Sequence, residues 1–309
     1  MMNVTLKQLR YFDALAQNGH FGRAAAACSV SQPALSVQIK ELEEMLGFSL
    51  FERMPRQVRL TALGHEFLTR AQDILRSVDE LSELARAAKD HNVGQLRVGV
   101  IPTIAPYLLP TLVRHLSLSF AGAEINIRES MTPNLLKELS EGRIDTAILA
   151  LPVSEPSLTE IALFDEDFVL VRPAHDRNAP VPDRDGLREM RLLLLEEGHC
   201  FRDQALSFCN IPSNLPRETL EGTSLSTLVQ MVGAGIGVTL IPEMAVGVET
   251  RSAAVSVARF ADPQPKRTVG MVWRRTSPLA HQYQRIAEIV RQSAEAQLIA
   301  SRSRLHTAG

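Results

Sequence analysis

The chain has 309 residues, 45% of them hydrophobic and 22% charged, with a formal net charge of −2. Such a length suggests two or three domains with substantial cores, and near-neutrality excludes a bulk nucleic-acid condenser, so any DNA contact must come from a local basic patch. Three cysteines exclude a disulfide framework, and eight scattered histidines without CxxC spacing exclude an evident metal site.

No charged-then-apolar leader opens the sequence, and no apolar run approaches the roughly 18 residues of a membrane span. A cytoplasmic chain with no membrane partner and no cofactor is expected.

Residues 1–60 carry seven basic against five acidic side chains, with Arg53, Arg56 and Arg59 crowded around Pro55. Thr5 is positioned to cap a first helix whose inner face is Leu6, Leu9, Phe12 and Leu15 or Ala16. An alanine-rich helix is predicted from about Gly22 to Cys28, with Cys28 as a small core residue.

Ser31 caps the next helix, proline is tolerated in its first turn at Pro33, and Gly47 stops it. Its inner face reads Leu35, Ile39, Leu42 and Leu46, and its outer face offers Gln32, Ser36, Gln38 and Lys40 to base edges and phosphates. This pattern fits a helix-turn-helix, and on this segment alone it equally fits a small bundle with a solvated face. Leu50–Arg53 and Val58–Leu60 flank a Pro-Arg-Gln turn and read as a hairpin wing.

Thr61 caps a long helix reaching about Lys89, with an apolar stripe at Leu63, Phe67, Ile74, Val78, Leu81, Ala85 and Ala88. That spacing predicts a coiled-coil seam and a dimer. From Gln95 the pattern changes to an α/β region. Strands are predicted at Gln95–Ile101, Glu124–Arg128, Thr146–Leu151 and Phe168–Arg172, with parallel connections, and helices at Pro106–Ser119, Pro133–Glu141 and Ser224–Gly233. Gly233-Ala234-Gly235-Ile236-Gly237 follows a helix and precedes a strand, the reverse of a dinucleotide loop, so it reads as a tight turn. The residues from about Ala300 read as a frayed tail.

The most informative segment runs from Arg191 to Cys209. Arg191–Leu195 reads as a buried strand, Glu196-Glu197-Gly198 as a turn, and Phe201, Ala205 and Phe208 as the apolar face of a helix. Cys200 then lies at a strand's C-terminal end and in the first turn of a helix, where N–H groups favour a thiolate and His199 and Arg202 add donors. An oxidised thiolate gives a sulfenic acid that a second thiol can resolve, and Cys209 is the nearest candidate. Nine helical residues leave the two half a turn out of phase and about 13.5 Å apart along the axis. A disulfide needs Cα atoms within roughly 7 Å, so joining them requires the helix to melt.

The first 64 residues resemble the LysR-type transcriptional regulators. The matching runs include Leu9-Arg10-Tyr11-Phe12, Phe21-Gly22-Arg23-Ala24-Ala25, Val30-Ser31-Gln32-Pro33-Ala34-Leu35-Ser36, Leu50-Phe51-Glu52-Arg53 and Leu60-Thr61-Ala62-Leu63-Gly64. Similarity continues at Thr223–Pro242 and covers nearly the whole chain. Gly22 departs from the polar residue often found there, and a glycine at a helix start costs about 1 kcal/mol. Gly198-His199-Cys200, Arg202-Asp203-Gln204-Ala205, Phe208-Cys209, Ile101-Pro102-Thr103 and Pro106–Pro110 resemble the family's peroxide-sensing members.

The resemblance implies a winged helix-turn-helix domain (1–61), a linker and dimerisation helix (62–93) and an α/β effector region (94–309). That region would comprise two periplasmic-binding-protein-like subdomains, 94–168 plus 268–300 and 169–267, with crossovers near Phe168 and Arg267. DNA would be met by Arg23, Ser31, Gln32, Pro33, Ser36, Gln38, Lys40, Arg53, Arg56 and Arg59. Cys200 would be the peroxide-reacting thiol and Cys209 the resolving one, with Thr103, Thr132, His199 and Arg202 around the peroxide.

The implied partners are promoter DNA, further copies in a dimer or tetramer, hydrogen peroxide, RNA polymerase and a thiol reductant for resetting. The resemblance implies a regulator, not an enzyme. One alternative is a family member that binds a small metabolite in its cleft, with incidental cysteines. Another is a thiol peroxidase, which has no use for a winged helix.

Overall fold

The computed structural model describes residues 4–54, 57–89, 94–209 and 221–308. It divides into two compact units, residues 1–86 and 87–309.

The first unit opens with helices α1 (Leu6–Asn18), α2 (Phe21–Ala27) and α3 (Gln32–Leu46). Thr5 and Gln8 form a reciprocal capping box at the start of α1, and Ser31 caps α3 through the Ala34 N–H. Leu9, Phe12, Leu15, Leu35, Ile39 and Leu42 are buried together, each contributing roughly 1.5–3 kcal/mol by leaving water. Leu6, expected among them, is 43% exposed, because the inner face of α1 begins with Gln8 and Leu9.

His20 occupies the N-cap of α2, its Nδ1 accepting the Gly22 N–H at 3.0 Å. A Cβ on residue 22 would lie 3.1 Å from His20 Cε1, so the glycine makes room for the capping imidazole.

Strands β1 (Phe51–Met54) and β2 (Gln57–Leu60) form the antiparallel hairpin, and Thr61 Oγ1 accepts the Gly64 N–H at 2.9 Å where α4 (Ala62–Lys89) begins. The apolar stripe expected on α4 divides between two faces. Phe67 packs edge-on against Phe12 at 5.2 Å and Ala71 is buried beside the same core, whereas Leu63, Ile74 and Leu81 stand exposed.

The second unit contains β3 (Gln95–Val100), α5 (Ala105–Ser119), β4 (Glu124–Glu129), α6 (Thr132–Ser140), β5 (Thr146–Leu151) and β6 (Leu158–Pro173). There follow α7 (Arg184–Glu189), β7 (Leu194–Leu195), α8 (Cys200–Phe208), β8 (Glu221–Gly222), α9 (Leu225–Gly233) and β9 (Thr239–Pro242). The last elements are α10 (Val246–Glu249), β10 (Val255–Ala258), β11 (Lys266–Arg274) and α11 (Ala280–Ala308).

β3 pairs in parallel with β4 and β5, but β11 runs antiparallel to both β5 and β6, so the sheet is mixed rather than parallel throughout. The sixteen-residue β6 pairs with β11 over Leu158–Asp167 and then with β9 and β10 over Phe168–Pro173. One continuous strand thus passes from the first lobe of this unit into the second, and antiparallel β11 returns beside it. Such neighbours need no crossover helix.

The tail expected to fray is helical to Ala308. Gln297 Nε2 donates to Thr111 Oγ1 at 2.9 Å, and Arg302 Nε donates to the fully buried Glu243 at 3.1 Å.

Candidate functional site

The four consecutive leucines 192–195 are buried, but only Leu194 and Leu195 form a ladder, in parallel with β8. Gly198 turns the chain with φ +95°, and its Cα faces α6 so closely that a Cβ would sit 2.8 Å from Met131 Sδ. The turn therefore packs Gly198, the residue before His199, against Met131, the N-cap of α6. Helix α8 starts immediately, with Cys200 half-buried at its first position and Cys209 fully buried at its C-cap. Neither cysteine is in a disulfide.

His199 is 5% exposed, and its Nε2 is buried without a hydrogen-bond partner. The same holds for Thr132 Oγ1 and for Gln204 Oε1, one helical turn beyond Cys200 on α8. Such atoms are unusual, since buried polar groups are nearly always paired, and two of the three belong to the cysteine helix and its N-cap.

Thr103 is buried in the turn between β3 and α5, where Arg267 grips it twice: Nη1 donates to Oγ1 at 2.8 Å and Nη2 to the carbonyl at 3.0 Å. Arg267 also donates through Nε to Glu166 at 2.8 Å and lies 5.7 Å from the Phe201 ring centre. Phe201 in turn packs edge-on against Phe168 at 4.8 Å. One guanidinium thus touches the first lobe at Thr103, the connecting strand at Glu166 and the cysteine helix at Phe201. A second tie between the lobes runs from the Tyr107 hydroxyl to Glu249 at 2.7 Å.

Arg202 is committed elsewhere. It donates to the Leu195 carbonyl at 2.9 Å and to Glu221 at 2.6 Å, fastening α8 to β7 and β8.

Burial pushes the His199 imidazole below its usual range, and the nearby Glu196 carboxylate only partly opposes this. The folded chain thus resists a proton that the unfolded chain accepts, so stability rises with pH across that window. Chemical denaturation of the reduced protein is expected to show stability falling as pH drops below 6.5 towards the lowered value. A His199→Gln chain should lose that part of the slope, and an unchanged slope would show that His199 does not carry it.

In the first unit, Arg23, Ser31, Gln32, Pro33, Lys40 and Arg59 are exposed, while Ser36 and Gln38 are half-buried. Arg23 donates to the Asn18 carbonyl at 2.7 Å, Gln38 to Glu41 at 2.6 Å, and Lys40 pairs with Glu44 at 3.4 Å. Arg59 stands opposite Glu52 in the hairpin. Arg56 and the side chain of Arg53 lie outside the described residues.

Residues 6–65 match the bacterial regulatory helix-turn-helix proteins of the lysR family, and residues 89–295 match the LysR substrate binding domain. The chain belongs to the LysR family. Its helix-turn-helix match spans α1 to the start of α4, and both cysteines of α8 fall within the substrate-binding-domain match.

Among LysR relatives, a probable hydrogen peroxide-inducible genes activator from Streptomyces viridosporus is 44% identical over 94% of each chain. The DNA-binding transcriptional dual regulator OxyR of Escherichia coli K12 is 41% identical over 93% of this chain and 95% of its own. A solved full-length Pseudomonas aeruginosa OxyR with a cysteine replaced by aspartate aligns with a TM-score of 0.76 at 40% identity, covering 94% of this chain and 98% of that one. A peroxide-bound cysteine-to-serine variant of Corynebacterium glutamicum OxyR gives 0.66 at 34% identity, covering 98% and 97%.

Sequence reasoning missed two residues at this LysR site. Arg267 served there only as a marker of a crossover, although an arginine beside the apolar strand Val269–Trp273 was a signal. Gln204 was quoted as part of a motif, and its spacing of four from Cys200 would have put it on the same helical face.

Proposed function

We propose that this LysR chain is a transcriptional regulator, similar to OxyR, that senses hydrogen peroxide through Cys200 and a reversible Cys200–Cys209 disulfide. The observation that carries this reading is the placement of Cys200 at the first position of α8 beside His199, whose buried Nε2 lacks a partner, directly after the Gly198 turn packed on Met131. Thr103 Oγ1 accepts from Arg267, so its own proton is left to donate. A small molecule rich in hydrogen-bonding groups suits these atoms.

The chemistry balances without a cofactor. The Cys200 thiolate attacks one peroxide oxygen, the O–O bond breaks, sulfur is oxidised to a sulfenic acid and the departing hydroxide leaves as water after taking a proton. Cys209 Sγ then attacks the Cys200 sulfur, the S–O bond breaks and a second water leaves. A dithiol reductant restores both thiols.

Thr103, Thr132, His199, Gln204 and Arg267 surround the reacting centre, and Arg202 holds α8 in its reduced conformation. The chain acts in the cytoplasm on promoter DNA as a dimer or tetramer, with the α3 face and the arginine wing on DNA, and communicates with RNA polymerase. It is a stoichiometric switch rather than a turnover enzyme.

The test is mass mapping of disulfides on DNA-bound protein after one equivalent of peroxide. The expected product is one Cys200–Cys209 linkage per chain, with Cys28 still a thiol. Linkage through Cys28, or between chains, would overturn the mechanism.

A further inference from the structure

Helix α3 carries an exposed residue that the candidate DNA contacts omit. Val37 lies in the middle of the helix and is 54% exposed. At 3.6 residues per turn, Pro33, Val37, Lys40 and Glu44 share the face opposite Leu35, Ile39 and Leu42, which are fully buried. Val37 therefore sits on the centre line of the outward surface.

The polar candidates around it are partly engaged. Gln38 is half-buried and bonded to Glu41, and Lys40 is paired with Glu44. The first two turns instead expose Pro33, Ala34 and Val37 side by side, with Gln32 at the edge. In a helix-turn-helix these N-terminal turns of the second helix meet base edges in the major groove. There the thymine methyl is the one apolar feature on a base edge, and it marks thymine against the other three bases. Branching at Cβ already fixes the Val37 rotamer, so docking against a methyl freezes little freedom.

We infer that Val37 contacts a thymine 5-methyl in the major groove and selects T at one position of each half-site. This inference rests on the reading of the first unit as a DNA reader.

The test uses the full-length chain with its thiols reduced. A duplex is enriched from a random library, and each thymine in it is then replaced singly by deoxyuridine, which removes only the methyl. For the wild type, one thymine per half-site is expected to stand out, its replacement weakening binding about fourfold, the value for burying one methyl-sized group. Val37→Ala, which improves helix propensity and so keeps the fold, should bind equally to the T and U duplexes at that position while responding like wild type elsewhere. Val37→Thr, which retains one methyl, should keep part of the discrimination.

An identical uridine profile for wild type and Val37→Ala would overturn the inference while leaving DNA binding intact. Failure of the wild type to enrich any duplex would overturn both the DNA reading and the inference.

Discussion

A Cys200→Ser chain is expected to lose the peroxide response completely, with no sulfenic acid, no disulfide and no change in promoter footprint. A Cys209→Ser chain should still take up one equivalent of peroxide and stop at the sulfenic acid. The difference follows from chemistry, because a serine hydroxyl is not ionised near neutral pH and cannot replace the thiolate nucleophile. It also follows from geometry.

In the reduced fold the two cysteines occupy the ends of one helix. The nine-residue separation corresponds to about 13.5 Å of rise, against a Cα separation of at most roughly 7 Å in a disulfide. Closing the bond must dismantle α8 and whatever holds it. That includes the Arg202–Glu221 pair, the Phe201–Phe168 contact, and the Phe208 ring packed against Phe260 at 5.2 Å and covered by Arg184 at 5.0 Å. On the proposed mechanism, oxidation would therefore change the packing of the second lobe, the kind of two-state element a switch requires. Footprinting of both variants with and without peroxide, with thiols counted in parallel, decides the matter. A Cys200→Ser footprint that still moves would sink the mechanism.

Much of the fold was legible because the signals were local. Thr5, Ser31 and Thr61 cap the helices they were expected to cap, since a hydroxyl before an apolar period satisfies N–H groups within its own turn. Helix α8 has no side-chain cap and was legible from its apolar face alone, which repeats at Phe201, Ala205 and Phe208. The first ten residues of β6 were not. Leu158–Asp167 mixes acids with apolar residues in no clean alternation, and its extended form is imposed by β11, which lies far along the chain at Lys266–Arg274.

Leu6 and the tail beyond Ala300 failed for related reasons. An inner face depends on what packs against it, and Arg302 earns its order from a carboxylate on a distant turn. The unpartnered atoms of His199, Thr132 and Gln204 could not be seen at all without coordinates. Residue type announces a donor or acceptor, and only the fold reveals that nothing answers it.

Arg267→Met is expected to be the most destabilising change at the site. The side chains of Arg267 and Glu166 are 1% and 0% exposed. Without the guanidinium, Glu166 keeps the Met244 N–H at 2.9 Å but loses its charge partner, and breaking one side of such a buried pair costs about 3–5 kcal/mol. Thr103 loses both of its contacts to Arg267 as well, so the reaction with peroxide should slow in whatever fraction remains folded.

Arg267→Lys should recover only part of either loss. A single ammonium cannot reproduce the fork that reaches the Thr103 hydroxyl, the Thr103 carbonyl and Glu166 together. The double change Arg267→Met with Glu166→Gln separates charge from shape. By removing the stranded carboxylate it should restore much of the stability in urea unfolding, yet leave peroxide reactivity low because the hold on Thr103 is still missing. Equal recovery of stability and reactivity would make Arg267 purely structural. Recovery of stability alone would place it among the groups that position the reacting centre.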